Sequence, residues 1–282
     1  MAALLALASA VCYGIVDFAG GLLSRRAHFT VVTFLGQIGG LFLALVAALA
    51  VPAEALRPED LLWGALSGVG SGTAMHFLNR GLSRGAMSIV IPLSAVTGVA
   101  LSVLCGVCFL GDRPTALSWL GIGLTVPALW LVSGGTVLGR DERGPGTARA
   151  SADGLIASLG VAVQYIGLAQ ADAASGLWPV AAGRLAAVAV LLPSARRHAP
   201  DFRQPPKLLA QALLTGAGAA LGLILYLWAA HQQMLAIAVV LASLYPAVPI
   251  VLGLTALREK VTAKQTTGLV GAAVATVLLT LG

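Results

Sequence analysis

The chain has 282 residues, of which 58% are hydrophobic and 10% charged, with a net charge of +6 and a mean hydropathy of +0.92. Soluble domains are about a quarter charged, so this composition excludes a water-facing globule and reads as a polytopic membrane protein. The 17 basic residues fall mostly in short connectors between apolar runs, which argues against a nucleic-acid surface and marks them as topology signals.

Runs of about 20 apolar residues cross a bilayer as helices. In chain order such runs occupy Ala2–Leu23, Thr30–Val51, Asp60–Leu78, Ala86–Leu110 and Thr115–Gly135. A polar linker, Gly139–Asp153, follows, and then Gly154–Ala171, Gly176–Pro193, Pro206–Ala230, Leu235–Leu257 and Val261–Leu281. The expected division is a first five-helix repeat over 1–138, a linker over 139–153 and a second five-helix repeat over 154–282. The opening run has no basic residue ahead of it and continues past its Ala-Ser-Ala, so it reads as a retained helix rather than a cleaved signal.

The two halves carry the same plan. Setting Asp112 against Glu259 also sets Arg113 against Lys260, Thr115 against Thr262 and Gly121 against Gly268, an offset of 147 residues. A self-match at half length in an apolar chain is a signature of secondary transporters, and an odd number of spans per half inserts the second half upside down. The expected fold is therefore an all-α membrane protein whose ten transmembrane helices form two inverted five-helix repeats.

Helices in lipid associate through close backbone approach. Small residues at four-residue spacing supply it at Gly36/Gly40, Gly64/Gly68/Gly72, Gly98/Ser102/Gly106 and Gly218/Gly222. Pro92, Pro127, Pro179, Pro246 and Pro249 lie in or near spans, where neighbours can satisfy the freed carbonyls. Cys12, Cys105 and Cys108 sit in apolar runs without a second pair or a nearby histidine, so they read as small helix-contact residues rather than a metal centre. Fourteen basic residues follow odd-numbered spans, against Arg57 and Arg113 after even-numbered ones. That asymmetry puts the odd connectors in the cytoplasm and both termini outside.

Ionisable and polar side chains inside spans are the candidate site. Asp17 is the acid well inside the first span and stands one turn from Tyr13. It could take a proton or a cationic group of a substrate, with Tyr13 as its hydrogen-bonding neighbour, or it could form a structural pair with an arginine. His76 and Asn79 share a helix face with Arg80. His76 is a second candidate for proton coupling or else an interfacial residue, and Arg80 reads as an anchor. Gln164 and Tyr165 come near the place of Asp17 at an offset of 148, either as cavity groups or as interhelical glue and interface aromatic. Ser94, Thr97, Ser243 and Tyr245 are hydroxyls beside the prolines of the fourth and ninth spans, and Ser94 corresponds to Ser243. Tyr226 and Trp228 could stack on a substrate or belong to an aromatic belt. Asp112 and Glu259, each beside a basic residue, read as caps or pairs that fix a turn.

With its "LASLYPAVP" in the ninth span, "CYGIVDFAGGLLSRR" in the first, and Gly111-Asp112-Arg113-Pro114 and Arg258-Glu259-Lys260-Val261 in the two halves, the chain resembles the EamA-type family of the drug/metabolite transporter superfamily over nearly its whole length. Many relatives have Trp-Gly where this chain has Tyr13-Gly14. The second half carries the arginine typical of a repeat's second helix, Arg184, and the first half has none there. The resemblance implies a central cavity and alternating access, with export of amino acids, nucleobases, related metabolites or drugs. It also implies cytoplasmic termini, opposite to the charge count. Uptake is the alternative within transport, and a membrane scaffold or channel the alternative outside it. Motifs of zinc proteases, serine hydrolases and phosphate-binding loops are missing from the sequence, so neither enzymatic activity nor a cofactor is expected. The expected partners are a small-molecule substrate, the lipid bilayer of the cell membrane and protons as coupling ion, in a monomer or homodimer.

Overall fold

A computed structural model describes residues 2–85, 87–105, 115–132, 145–232, 245–259 and 261–281. Among them are ten α-helices and no strand. The helices are α1 (Ala2–Arg26), α2 (Phe29–Ala50), α3 (Pro58–Arg84), α4 (Met87–Cys105), α5 (Ala116–Val132), α6 (Pro145–Gln170), α7 (Trp178–Arg197), α8 (Pro206–Gln232), α9 (Ala247–Thr255) and α10 (Ala263–Leu281). Helices α1, α2, α6, α7 and α8 are long and apolar enough to cross a membrane by themselves, while the apolar stretches of α4, α5 and α10 are shorter. At 27 residues α3 is long, but Glu59, Asp60, Arg80 and Arg84 near its ends lower its hydropathy.

Several helix ends differ from the sequence expectation; α3, for one, runs on from Leu78 to Arg84. Helix α6 begins at Pro145, inside the stretch read as a linker. Its first turns are polar because Asp153 pairs with Arg80 and Arg84 at the end of α3, and Arg80 also stands 4.4 Å over the Phe77 ring. Helix α9 starts after Pro246, whose missing N–H costs nothing at a helix start. Residues 233–244, with Ser243, lie outside the described residues. Helices α4 and α5 continue through Pro92 and Pro127.

Packing interleaves the halves. Helix α3 lies against α6 and α7, α2 against α7 and α8, α1 against α8 and α9, α4 against α6 and α9, and α5 against α10. Exchanging each helix for the one five places on turns the α3–α6 contact into α8–α1, α3–α7 into α8–α2, and α4–α6 into α9–α1, all of them present. The pairs α2–α7, α4–α9 and α5–α10 map onto themselves.

Individual residues obey the same exchange. Gly68 lies on the backbone of Gly183, and Gly216 lies on the backbone of Gly36, closer in both cases than any side chain would allow. A Cβ at Gly121 would come within 2.9 Å of Leu279 and one at Gly268 within 2.9 Å of the Ala128 carbonyl; Ala275 and Val132, the exchanged partners, are there too. Thr115 Oγ1 accepts from the Ser118 N–H and Thr262 Oγ1 from the Gln265 N–H, so α5 and α10 start with the same cap. Cys12 donates to the Gly218 carbonyl at 3.1 Å, a helix-contact role for its small side chain.

Hydrogen bonds hold the two ends of the bundle differently. At the arginine-rich end, Glu259 accepts from the Met87 and Ser88 N–H groups at 2.9 and 3.0 Å and from Arg25 at 3.3 Å. Arg25 also donates to the Leu82 and Gly85 carbonyls, so α1, α3, α4 and the α9–α10 connector meet here. Glu259 was expected to fix its own turn; instead it caps another helix, because the first N–H groups of α4 lack intrahelical acceptors. At the opposite end Arg57 pairs with Asp172 at 2.8 Å, and Asp60 accepts from the Asp172 N–H and the Ser175 hydroxyl.

Burial raises the pKa of Glu259, but the N–H groups of Ser88 and Met87, the Ser88 hydroxyl and Arg25 outweigh it and hold the carboxyl below its ordinary value. A depressed carboxylate contributes stability that is present above its unfolded pKa and lost as pH falls through the folded one. Glu259→Gln keeps the shape but removes the charge, and is expected to cost about 1–2 kcal/mol. It should also flatten the acid limb of the stability profile, measured by melting temperature against pH in detergent.

Candidate functional site

Each half sends its first three helices to one cavity of about 70 Å³. From α1 come Tyr13, Asp17 and Gly20, spaced so that one helix face presents all three. Helix α2 adds Val32, Thr33, Gly36 and Gln37, and α3 adds Ser71, Met75 and Asn79. From the second half come Gln164 of α6, Arg184 of α7, and Thr215, Gly216 and Ala219 of α8. Gly36 and Gly216, which let α2 and α8 touch, thus also form part of the wall.

Two charged groups face this space. Asp17 is 8% exposed and has no hydrogen bond or ion pair among the described residues. Arg184 is 6% exposed, and its Nη1 donates to Gln37 Oε1 at 3.0 Å. A guanidinium has five N–H donors, and this is the one bond it makes among the described residues. No ion pair joins Arg184 to Asp17. The aliphatic part of Arg184 runs along Gly40, where a Cβ would sit 3.4 Å from its Cδ. Gln37 and Arg184 are 147 positions apart, the offset that relates Asp112 to Glu259. The first half therefore has an amide where the second has its arginine, and the two equivalent side chains bond to each other.

Asn79 donates to Thr33 Oγ1 at 2.9 Å, and Thr33 in turn donates to the Phe29 carbonyl at 2.8 Å. This chain ties α3 to α2 beside the cavity. Tyr13 meets Tyr245 with ring centroids 6.1 Å apart and planes tilted by 56°. Tyr13, Tyr165 and Tyr245 all lie near enough to Asp17 to interact with it electrostatically, and Tyr165 likewise with Tyr226.

Of the residues singled out in the sequence, Tyr13, Asp17, Asn79 and Gln164 line the cavity. Tyr245 meets the Tyr13 ring at the cavity edge, and Tyr226 lies near Tyr165. Tyr165 and Trp228 are not among the lining residues, and each keeps part of its surface accessible, 41% and 42%. His76 packs edge-on against Phe29 at 5.0 Å, away from the cavity lining, and its Nδ1 is buried without a partner among the described residues. Ser94 and Thr97 lie on α4 and not on the cavity wall; Ser94 is 4% exposed and the Thr97 hydroxyl is buried without a partner among the described residues. Sequence reasoning missed Thr33, Gln37, Ser71 and Thr215, and left Arg184 without a role. Gln37 was within reach of the sequence, since stepping back 147 residues from Arg184 lands on it.

A bundle of helices, five of them long and apolar enough to span a bilayer, is the architecture of an integral membrane protein. The chain belongs to the EamA-like transporter family, whose profile matches residues 1–134 and 153–281. A solved structure described only as the crystal structure of a protein is similar, with a TM-score of 0.57 and 15% identity over 94% of this chain and 98% of its own; at that identity the likeness concerns the fold. No curated protein matches.

Proposed function

We propose that this protein is a secondary carrier in the cell membrane that moves small zwitterionic metabolites of the amino-acid class by alternating access. The observation that carries this reading is the coexistence, in one cavity, of a carboxyl at Asp17 and a guanidinium at Arg184 that, among the described residues, have respectively no partner and one. A charge inside a membrane bundle is costly unless it is compensated. Each group is compensated when a solute brings an ammonium to Asp17 and a carboxylate to Arg184, and guanidinium binds carboxylate through two parallel hydrogen bonds. Between solutes a proton can take the ammonium's place on Asp17, which would couple transport to the proton gradient. His76, away from the cavity wall, has no part in this scheme.

The exchange of contacts between the halves supports reading them as inverted five-helix repeats that rock about the cavity. Export is the favoured direction, in keeping with the family resemblance, and uptake uses the same geometry.

The test is counterflow in proteoliposomes, with a panel of labelled amino acids, their decarboxylated amines and their deaminated acids. Saturable exchange of the zwitterions, with the amines and acids at least tenfold weaker, is the expected result. Exchange of amines and acids at zwitterion rates would remove the paired-charge reading, and flux without counterflow would indicate a channel. Arg184→Lys keeps the charge but loses the two-pronged geometry and the Gln37 bond. It should raise the half-saturating concentration about tenfold or more, equivalent to about 1.4 kcal/mol.

A further inference from the structure

Outside the cavity, at the arginine-rich end, the connector between α1 and α2 meets the connector between α7 and α8. His28 and His198 stack there with ring centroids 4.3 Å apart and planes 19° from parallel. Asp201 joins them, and one ligand atom from each of the three lies within 4.8 Å of the others. All three side chains are half-buried.

The hydrogen bonds around the rings decide which nitrogens are free. His198 Nδ1 is 2.9 Å from the Ser194 carbonyl, which can only accept, so Nδ1 carries the proton and Nε2 presents a lone pair. A backbone carbonyl that fixes the tautomer in this way is the usual support of a metal-binding histidine. His28 Nδ1 accepts a long contact of 3.4 Å from the Thr30 N–H. Moving the ring proton from Nε2 to Nδ1 gives up only that contact and frees Nε2 as the second nitrogen donor.

We propose that His28, His198 and Asp201 form a site for a divalent transition metal of the zinc class, open to a water in the fourth position. Two imidazoles and one carboxylate suit zinc, cobalt or nickel and not magnesium or calcium. Tetrahedral bonds of about 2.0–2.2 Å require the ligand atoms to draw together by roughly an ångström, within reach of side-chain rotation in two connectors. The bound ion would fasten the α1–α2 connector of one half to the α7–α8 connector of the other. The proposal rests on this geometry and not on the transport reading, so its test is a binding measurement.

Tag-free, full-length protein in detergent is titrated with Zn2+ by calorimetry, and with Co2+ while visible absorption is recorded. The expected result is saturable binding of one equivalent and the intense absorption of four-coordinate Co2+. Affinity for Zn2+ should fall at least tenfold in His198→Ala, in Asp201→Asn and in His28→Asn, which keeps an acceptor for the Thr30 N–H, and be unchanged in His76→Ala. Mg2+ should give no heat of binding. Should a variant fold poorly, protection of His28 and His198 in the wild type from imidazole-modifying reagent by Zn2+ gives the same answer. Absence of saturable Zn2+ binding, unchanged affinity in the His28→Asn/His198→Ala pair, or modification of both rings at equal rates with and without Zn2+ overturns the site.

Discussion

Asp17→Asn is expected to reduce exchange of the zwitterionic solute by about two orders of magnitude while the protein still inserts and purifies as a monodisperse species. The carboxyl has no partner among the described residues, so its removal breaks no structural bond and leaves no group orphaned. What is lost is the anionic contact to the substrate's ammonium, and losing one member of a buried charge pair costs about 2–5 kcal/mol. At about 1.4 kcal/mol per tenfold, roughly 3 kcal/mol is a hundredfold loss. The same variant should also lose the pH dependence of exchange, because an amide does not titrate. Asp17→Glu, which moves the charge by one methylene, should keep the pH dependence with reduced rate. The decisive measurement is counterflow as a function of pH in matched proteoliposomes. Wild-type exchange with an unaltered pH profile in Asp17→Asn would remove this residue from both substrate binding and coupling.

Gly216→Val is expected to prevent the two halves from closing on each other. Gly216 lies against the backbone of Gly36, with Gly36, Gln37 and Arg184 all at the same level of the cavity. No flexible side-chain end occupies the space, so the helices themselves must separate to admit a branched residue. Overpacking in interiors costs about 1–3 kcal/mol where side chains can adjust, and backbone against backbone should lie at or beyond the top of that range. The expected readout is a large drop in melting temperature and in yield of monodisperse protein. Gly68→Val, its counterpart against Gly183, should match it because the contact is the same one seen from the other half. Gly123 is the control: a Cβ there meets nothing within 4 Å, and Gly123→Ala should be neutral or stabilise by up to about 1 kcal/mol. A mild effect of Gly216→Val, equal to that of Gly123→Ala, would show that the α2–α8 contact is not needed for assembly.

Much of the bundle could be read from residue types alone. Apolar runs marked the helices, because a chain 10% charged has no other way to satisfy its backbone in lipid. The glycine ladders marked contacts, and Gly36, Gly40, Gly64, Gly68, Gly72, Gly218 and Gly222 all meet atoms of a neighbouring helix. An offset of 147 linked Gly121 to Gly268, and those two residues then lie in exchanged positions of one contact between α5 and α10. Asp17 and Tyr13, Asn79 and Gln164 could be chosen as cavity residues because polar groups are rare inside such runs and a turn-spaced pair shares a face.

What only the tertiary structure decided was the rotation of each helix about its axis. In water, the polar face of a helix reveals its orientation; in lipid, a helix apolar all round carries no such mark. Thus Gln164 lines the cavity and Tyr165, the next residue, does not, and the hydroxyls of α4 lie away from the wall. The bond between Gln37 and Arg184 likewise exists only when α2 and α7 are brought together by glycines on other faces of the bundle. Composition and self-similarity determined that this chain is a membrane bundle of two like halves. Packing of one half against the other determined which side chains share its chamber, because steric fit between helices is non-local and no spacing along a single helix encodes it.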